Sequence, residues 1–460
     1  MSALLSLLLF TSCGMFDDDD ATCQTDSDAK GYLSVRLQIS TGTDTRADEN
    51  PYGGEDGNGR EAGINNENDI NNVTLLFYKG DGINSTDASS VTIEEAMYFS
   101  SLTYVENSTY TYTSATIECP TSFLESAYHV IVIANAGDLT TLKGHTLADV
   151  RDYEMKNLWT SADNISDYNN FVMSSESDAT LDIKNNPSGT GTESNPYVLT
   201  ASIERLAARI DIVPGDENTY KYNSTDNTYT YPVYNSESST TEESDIIGYY
   251  VLKYVMPINC YNDYTYLIKR VGTSATSVTD NVTYLGAETA TSNVATNYVY
   301  SPYFLEKAGD TYATTLQPLY KNYGTAYTDF SSYPVAEAKQ YATDGDSYFI
   351  VGYTMENTLP NANKSYITGL LFNGTYYTKS EWNSGSPAEG SGTSKTYTYY
   401  IRHSDPTGTG TTEDPMYYGI VRNNIYRIKI EKILGEGDSG MQLTINVRKW
   451  ATYTHSEVIM

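Results

Sequence analysis

The chain has 460 residues, enough for two or three domains with a sizeable core. Its formal charge is −31, from 28 basic and 59 acidic residues, so its surface repels phosphate backbones and nucleic-acid binding is disfavoured. Only 19% of residues are charged, while 44 tyrosines and long Ser, Thr and Asn tracts favour strands and turns over helices; an all-β, extracellular protein is expected.

The first element is an apolar run over residues 4–10. A helix that crosses a bilayer takes about 20 residues, so this run is too short to span one, but it has the length of the apolar part of a secretion signal. It ends in Phe10-Thr11-Ser12-Cys13, which resembles a bacterial lipobox, and it soon meets Asp17, Asp18, Asp19 and Asp20. The first strand signal is "YLSVRLQIS", where Leu33, Val35, Leu37 and Ile39 fall on one face and Ser34, Arg36 and Gln38 on the other. The long stretch "TGTDTRADENPYGGEDGNGREAGINNEND" follows. It is too rich in Gly, Asp and Asn to bury itself, and reads as an exposed loop containing Arg46 and Arg60.

Strand signals resume at "VTLLFYKG", with Val73, Leu75 and Phe77 alternating, and at "YHVIVIANAGD", a continuous apolar run of a strand buried on both faces. "HTLADVRDYEMKNLW" predicts a helix: Thr146 and Asp149 sit at capping spacing, and Leu147, Val150 and Leu158 lie roughly on one side. After the loop "NNPSGTGTESNP" comes "IERLAARIDIV", with Leu206, Ala208, Ile210 and Ile212 alternating, and a domain boundary is expected near Thr200. The second half holds the Tyr-rich strands "IIGYYVLKYV", "DSYFIVGYTM" and "TYTYYIRHSDP", then "DPTGTGTTEDP", which echoes the earlier loop. The chain closes with "VRNNIYRIKIEKI", the glycine-rich "LGEGDSG", and "MQLTINVRKWATYTHSEVIM", in which Met441, Leu443, Ile445 and Val447 alternate with polar residues.

Little in this pattern points to catalysis. The histidines (His129, His145, His403, His455) are scattered, with no HExxH, and the Gly-Thr loops lack the Lys-Ser/Thr of a phosphate loop. There is no GxSxG elbow and no CxxC. "EDGNGRE" has oxygens for calcium, but Arg60 stands where an EF-hand loop needs an acidic or amide side chain, so a solvated loop is the better reading. No enzyme, cofactor or metal is expected. Cys119 and Cys260 fit two buried, unpaired thiols better than a disulfide between domains.

The informative pattern is mechanical. An alternating strand near the N-terminus is tethered by an open loop containing arginines, and a strand of similar pattern ends the chain behind a glycine linker. If a trypsin-like protease cut the loop, the first strand would leave an apolar groove. Its four side chains, at about 1.5–3 kcal/mol each, set an upper bound of roughly 6–12 kcal/mol on the groove's hydrophobicity. The C-terminal strand of another copy would fit it by strand addition. The glycine-rich linker predicts a tail that is loosely held in the unprocessed monomer and fixed only in the polymer.

These residues resemble the fimbrillin family, the type V pilins of Bacteroidia, and most closely the structural shaft subunit of the short fimbriae. The parts that match are the lipobox with the acidic run behind it, "YLSVRLQISTGTDTRADENP", "IERLAARIDI", and above all "VRNNIYRIKIEKI" with "MQLTINVRKW". The resemblance implies two transthyretin-like β-sandwich domains in tandem with little helix. It also implies lipidation at Cys13, cleavage between Arg46 and Ala47 by an Arg-specific protease, and donor-strand exchange; Arg60 is the alternative cleavage site. On this reading residues 1–12 are a signal peptide and 13–46 a propeptide, which carries Cys23 away. Residues 47–200 and 201–440 are the two domains, and 441–460 the donor strand with Met441, Leu443, Ile445, Val447 and Trp450. Leu33, Val35, Leu37 and Ile39 fill the groove before processing. The expected partners are further copies, anchor and tip pilins, the protease, and host or bacterial surface ligands. The lipid holds the precursor in the outer membrane until processing, and the mature subunit belongs to a cell-surface fimbrium that supports adhesion and biofilm formation. The competing reading is a surface-anchored glycan- or protein-binding lipoprotein that does not polymerise.

Overall fold

The computed structural model describes residues 30–38, 60–61, 63–105, 111–120, 126–185, 187–235, 241–260, 263–272, 282–285, 330–340, 347–357, 367–383, 386–388, 390–402, 418–435 and 440–450. In chain order the first strands are β1 (Lys30–Gln38), β2 (Arg60–Glu61), β3 (Val73–Tyr78), β4 (Ile93–Phe99), β5 (Leu102–Tyr104), β6 (Thr111–Ser114), β7 (Ile117–Pro120) and β8 (Ala127–Ala134). A single helical turn, α1 (Leu147–Arg151), precedes β9 (Glu154–Lys156), β10 (Met173–Ser175), β11 (Ala179–Asp182) and β12 (Tyr197–Arg205). There follow β13 (Ala207–Val213), β14 (Lys221–Asn223), β15 (Thr228–Tyr234), β16 (Ile246–Ile258), β17 (Asp263–Tyr266), β18 (Arg270–Gly272), β19 (Val282–Tyr284), β20 (Lys339–Gln340) and β21 (Ser347–Met355). The last are β22 (Gly369–Thr378), β23 (Trp382–Asn383), β24 (Ser386–Pro387), β25 (Thr393–Tyr400), β26 (Asn424–Leu434) and β27 (Met441–Trp450).

The protein is all-β, built on two large sheets. The first runs β4-β3-β8-β10-β12-β1-β6-β5, with β11 on β8 and β7 on β1. β12 changes partner half-way: Tyr197 to Ser202 pair with β1, and Ile203 to Arg205 with β10, so one strand serves both layers of a sandwich. The continuous apolar strands lie where both faces are covered: all of β3 and Val130 to Ala134 of β8 are buried. The second sheet runs β20-β21-β13-β26-β15-β16-β22-β25, with β14 on β15 and β27 on β26 and β2. Here too the first strand of the unit, β13, lies parallel to a late one, β26.

"IERLAARIDIV" is two strands, not one. The chain passes from the first sheet to the second at Leu206, so the expected boundary near Thr200 falls inside β12. The expected helix is also shorter. Thr146 Oγ1 accepts from Asp149 N at 3.1 Å and the Asp149 carboxylate accepts from Thr146 N at 2.9 Å, forming the capping box, but only one turn follows. Glu154 to Lys156 are drawn instead into an antiparallel pair with β17, a tertiary contact that overrides local helix propensity.

Candidate assembly site

β1 lies in the interior of the first sheet. On one side it runs parallel to β12 from Leu33 to Gln38; on the other it pairs antiparallel with β7 at Lys30 to Leu33 and with β6 at Arg36 to Gln38. Where the partner changes, Val35 N donates to Ser114 Oγ at 2.9 Å. Leu33, Val35 and Leu37 have no exposed surface, whereas Tyr32, Ser34 and Arg36 are half-buried, so the alternation read from the sequence sets which face enters the core. The Gly-Thr loop reaches β1 as well: its Gly191 carbonyl accepts from Tyr32 N at 3.1 Å. Gly191 has φ +71°, and a Cβ there would fall 2.3 Å from the Tyr197 ring, so a glycine is required. Ile39, Arg46, Ala47 and Cys13 lie outside the described residues.

Residues 441–450 of the tail, expected to be loosely held in the monomer, form a paired strand. β27 pairs antiparallel with β26, from Met441 opposite Ile433 to Lys449 opposite Asn424. Met441 and Leu443 pack, half-buried, on the core of the second unit. The physical reason is the open edge β26 otherwise presents, which an adjacent alternating strand satisfies. Among the described residues the other edge of β27 is paired only at Lys449 and Trp450, with β2. That pairing places the backbone of Arg60, the alternative cleavage residue, in a strand. The side chains of Ile445, Val447 and Trp450 are outside the described residues.

Between the sheets lies a buried ionic cluster that the sequence reading missed. Arg209 of β13 donates to both carboxylate oxygens of Asp211 at 2.9 Å and, through Nη1, to Glu67 Oε2 at 2.8 Å. Arg427 of β26 donates to Asp211 at 3.1 Å, and its guanidinium lies 3.8 Å over the Tyr348 ring. Glu67 comes from the first unit, near the end of the stretch over residues 41–69 expected to be an exposed loop; it is instead fully buried, and also accepts from Tyr353 Oη at 2.6 Å and Ile64 N at 2.7 Å. Burial pushes the Glu67 carboxyl above its ordinary value, against the opposing pull of Arg209 and the Tyr353 hydroxyl. Arg209 is held well above its ordinary value; burial opposes its charge, but Asp211 and Glu67 outweigh it. A signal for this cluster exists: "ARIDI" sets Arg209 and Asp211 in alternation with the apolar Ala208, Ile210 and Ile212, in a strand buried along its whole length. Beside it, the ring of Tyr353 packs 4.8 Å from Phe171 and 6.0 Å from Trp159 of the first unit.

The Arg-Asn-Asn sequence has its place at this junction. Asn423, with φ +55°, donates its N to the Ala207 carbonyl at 2.8 Å, and its Oδ1 accepts from Arg205 N at 3.2 Å. Arg422 reaches the Tyr266 carbonyl and Glu356, both at 2.7 Å. Cys119 and Cys260 are both buried free thiols. Of the histidines, His129 meets Asp178 at 2.9 Å and His145 stands 3.7 Å from Asp149; His403 and His455 are outside the described residues. Among the described residues, no group of three or more His, Cys, Asp or Glu is arranged to hold a metal, and no helix is long and apolar enough to cross a membrane.

Comparison with known proteins places the chain. The family model described as major fimbrial subunit protein (FimA) matches residues 32–244, and that for the C-terminal region of fimbrillin, major fimbrial subunit protein type IV, matches residues 391–455. No curated protein matches. Solved structures that resemble it include a fimbrilin (FimA) from Porphyromonas gingivalis W83, at 15% identity and TM-score 0.41, covering 92% of this chain and 99% of that one. The tip fimbrial protein Mfa3 of Porphyromonas gingivalis, truncated at its C-terminus, aligns at 11% identity and TM-score 0.38, covering 92% and 100%. A fimbrial assembly protein from Parabacteroides distasonis aligns at 13% identity and TM-score 0.36, covering 91% and 95%. On the two sequence matches, which begin within β1 and reach past β27, the chain belongs to the fimbrillin family of major fimbrial subunit proteins.

Proposed function

We propose that the chain is the shaft subunit of a cell-surface fimbria, exported as a lipoprotein on Cys13, cut between Arg46 and Ala47, and polymerised by donor-strand exchange. The observation that carries this reading is the interior position of β1. It is hydrogen-bonded on both sides, its three described apolar residues are buried, and it is joined to the rest of the chain only through residues 39–59. A cut in that segment leaves β1 held in the sheet by its hydrogen bonds and packing. Its departure opens an apolar groove and two unpaired strand edges, a state that recruits another strand.

The donor is the tail of a second copy. To donate, β27 gives up its ladder with β26, while the opposite edge of β26 stays paired with β13 and β15, so the donor unit keeps its core. Partners are other copies, with anchor and tip pilins at the ends of the fibre, and the assembly supports adhesion and biofilm formation.

Incubating purified precursor with an Arg-specific protease and imaging the product tests this. Filaments whose subunits begin Ala-Asp-Glu-Asn are expected, and none from a variant lacking residues 441–460. Filaments from that variant, or native fibres whose subunits begin at Cys13, overturn the scheme. A start at Glu61 moves the cut to Arg60.

A further inference from the structure

The outward face of the second sheet lacks the polar pattern of a solvated strand face. On β15, Tyr229, Tyr231 and Val233 are buried in the core, which leaves Thr230, Pro232 and Tyr234 on the other side. On β16, Tyr250 and Leu252 are core, and Tyr249, Val251 and Lys253 take the outer face. The register aligns Pro232, Tyr249 and Tyr377 directly across β15, β16 and β22. The β23–β24 hairpin then folds Trp382 over this row. Its ring stacks on Tyr249 at 4.7 Å with planes 25° apart, and lies 5.7 Å from the Tyr377 ring.

The hairpin is built to hold that position. The Glu381 carboxylate accepts from Thr378 N at 2.8 Å and Thr378 Oγ1 at 2.9 Å, and Lys379 N donates to the Ile247 carbonyl at 3.0 Å. Gly392, at φ +91°, passes so close that a Cβ would fall 2.5 Å from the Tyr377 ring. With the β14–β15 hairpin as the facing wall, these elements enclose a cleft of about 1230 Å³. Among the described residues, three lysines, Lys221, Lys253 and Lys379, line it against two acids, Asp226 and Glu243. Over the whole chain acids outnumber bases 59 to 28, so the cleft reverses the balance of the molecule.

A half-buried Trp382–Tyr249 pair backed by the buried Tyr377, with hydroxyl and amine groups at its edges, matches a pyranose, whose C–H face stacks and whose hydroxyls hydrogen-bond. The local excess of ammonium groups favours an anionic ligand. We propose that this cleft binds an oligosaccharide that carries carboxylates. A sugar ring stacks on Trp382, which Tyr249 and Tyr377 hold in place from beneath, and the carboxylates meet Lys221, Lys253 and Lys379. The site lies away from β1 and requires no polymerisation, so it stands or falls apart from the assembly scheme.

The test uses full-length monomer on an array of uronate- and sialate-containing oligosaccharides printed beside neutral counterparts, followed by calorimetry on the best ligand. Binding confined to the carboxylated sugars is expected. Trp382→Ala, on a surface hairpin, weakens it by at least about tenfold with an unchanged melting curve, and Tyr249→Phe, which keeps the ring, retains it. Changing the three lysines to Gln removes the preference for carboxylates. No binding to any sugar, equal binding of neutral ones, binding indifferent to Trp382→Ala, or capture of proline-rich peptides alone overturns the proposal.

Discussion

Arg209 and Glu67 meet at 2.8 Å with neither side chain exposed, and they come from opposite units of the molecule. Removing one partner of a buried pair leaves the other charge uncompensated, at a cost of about 3–5 kcal/mol. Arg209→Met is therefore expected to lower the unfolding midpoint sharply and to split the thermal transition. Glu67→Gln, which retains an acceptor for the Tyr353 hydroxyl, costs less. Calorimetry of both variants decides; wild-type melting of Arg209→Met removes the pair from any coupling role.

The interior strand makes a state-dependent prediction. Leu37→Ala leaves a cavity beside β12 and is expected to destabilise the unprocessed precursor by about 2–5 kcal/mol. If processing discards β1, the same substitution leaves the stability of assembled filaments unchanged. Denaturant melts of precursor and filament provide the comparison, and an equal loss in both shows that β1 is retained.

Deleting residues 441–460 exposes one edge of β26 but leaves its ladder with β13 in place. The expected product is folded, less stable than the parent and prone to self-association through the bared edge. Circular dichroism with light scattering checks this. A random-coil spectrum would make the tail indispensable to its own unit, and with it the donor role untenable.

Burial pushes the phenols of Tyr78, Tyr112, Tyr229, Tyr231, Tyr250 and Tyr353 above their ordinary value. Their neutral form is favoured in the fold, so the stability they contribute is complete below the unfolded value of about 10 and is lost as pH rises beyond it. Alkaline titration followed by phenolate absorbance is expected to show one class of rings ionising freely and a second only as the fold is lost. A single reversible transition for all rings contradicts this.

The thiols are inert by the same physics. Burial raises Cys119 to about 11 and Cys260 to about 12, so little nucleophilic thiolate exists at neutral pH. Iodoacetamide followed by peptide mapping is expected to leave both unmodified in the native protein and to alkylate both in denaturant.

The alternation of Leu33, Val35 and Leu37 was legible in the sequence because a period of two fixes which face is buried. The parallel partner of β1 was not, since it lies more than 160 residues along the chain, at Tyr197 to Ser202. The caps at Thr146 and Asp149 were readable for the same local reason, whereas the helix length depended on β17, a distant competitor for Glu154 to Lys156. The ionic cluster escaped notice because Glu67, Asp211 and Arg427 are unremarkable as single charges; only the fold brings them together. Likewise, the many tyrosines read simply as strand residues, and the register across three strands was needed to gather Tyr249 and Tyr377 into one row.

The passage between the two sheets is a single residue, Leu206, which is fully buried and donates its N to the Val172 carbonyl at 2.9 Å. There is no slack at this point. A tensile load entering through β12 passes directly into β13, with the clasp of Asn423 on Arg205 and Ala207 beside it. In the unprocessed chain β1 lies parallel to β12, and a strand in that place, whether β1 or its replacement, meets force along its axis in shear, so the bonds of the whole register share the strain instead of opening one at a time. A fibre of such units would stretch little before breaking: each behaves as a stiff link, not as two beads on a flexible thread.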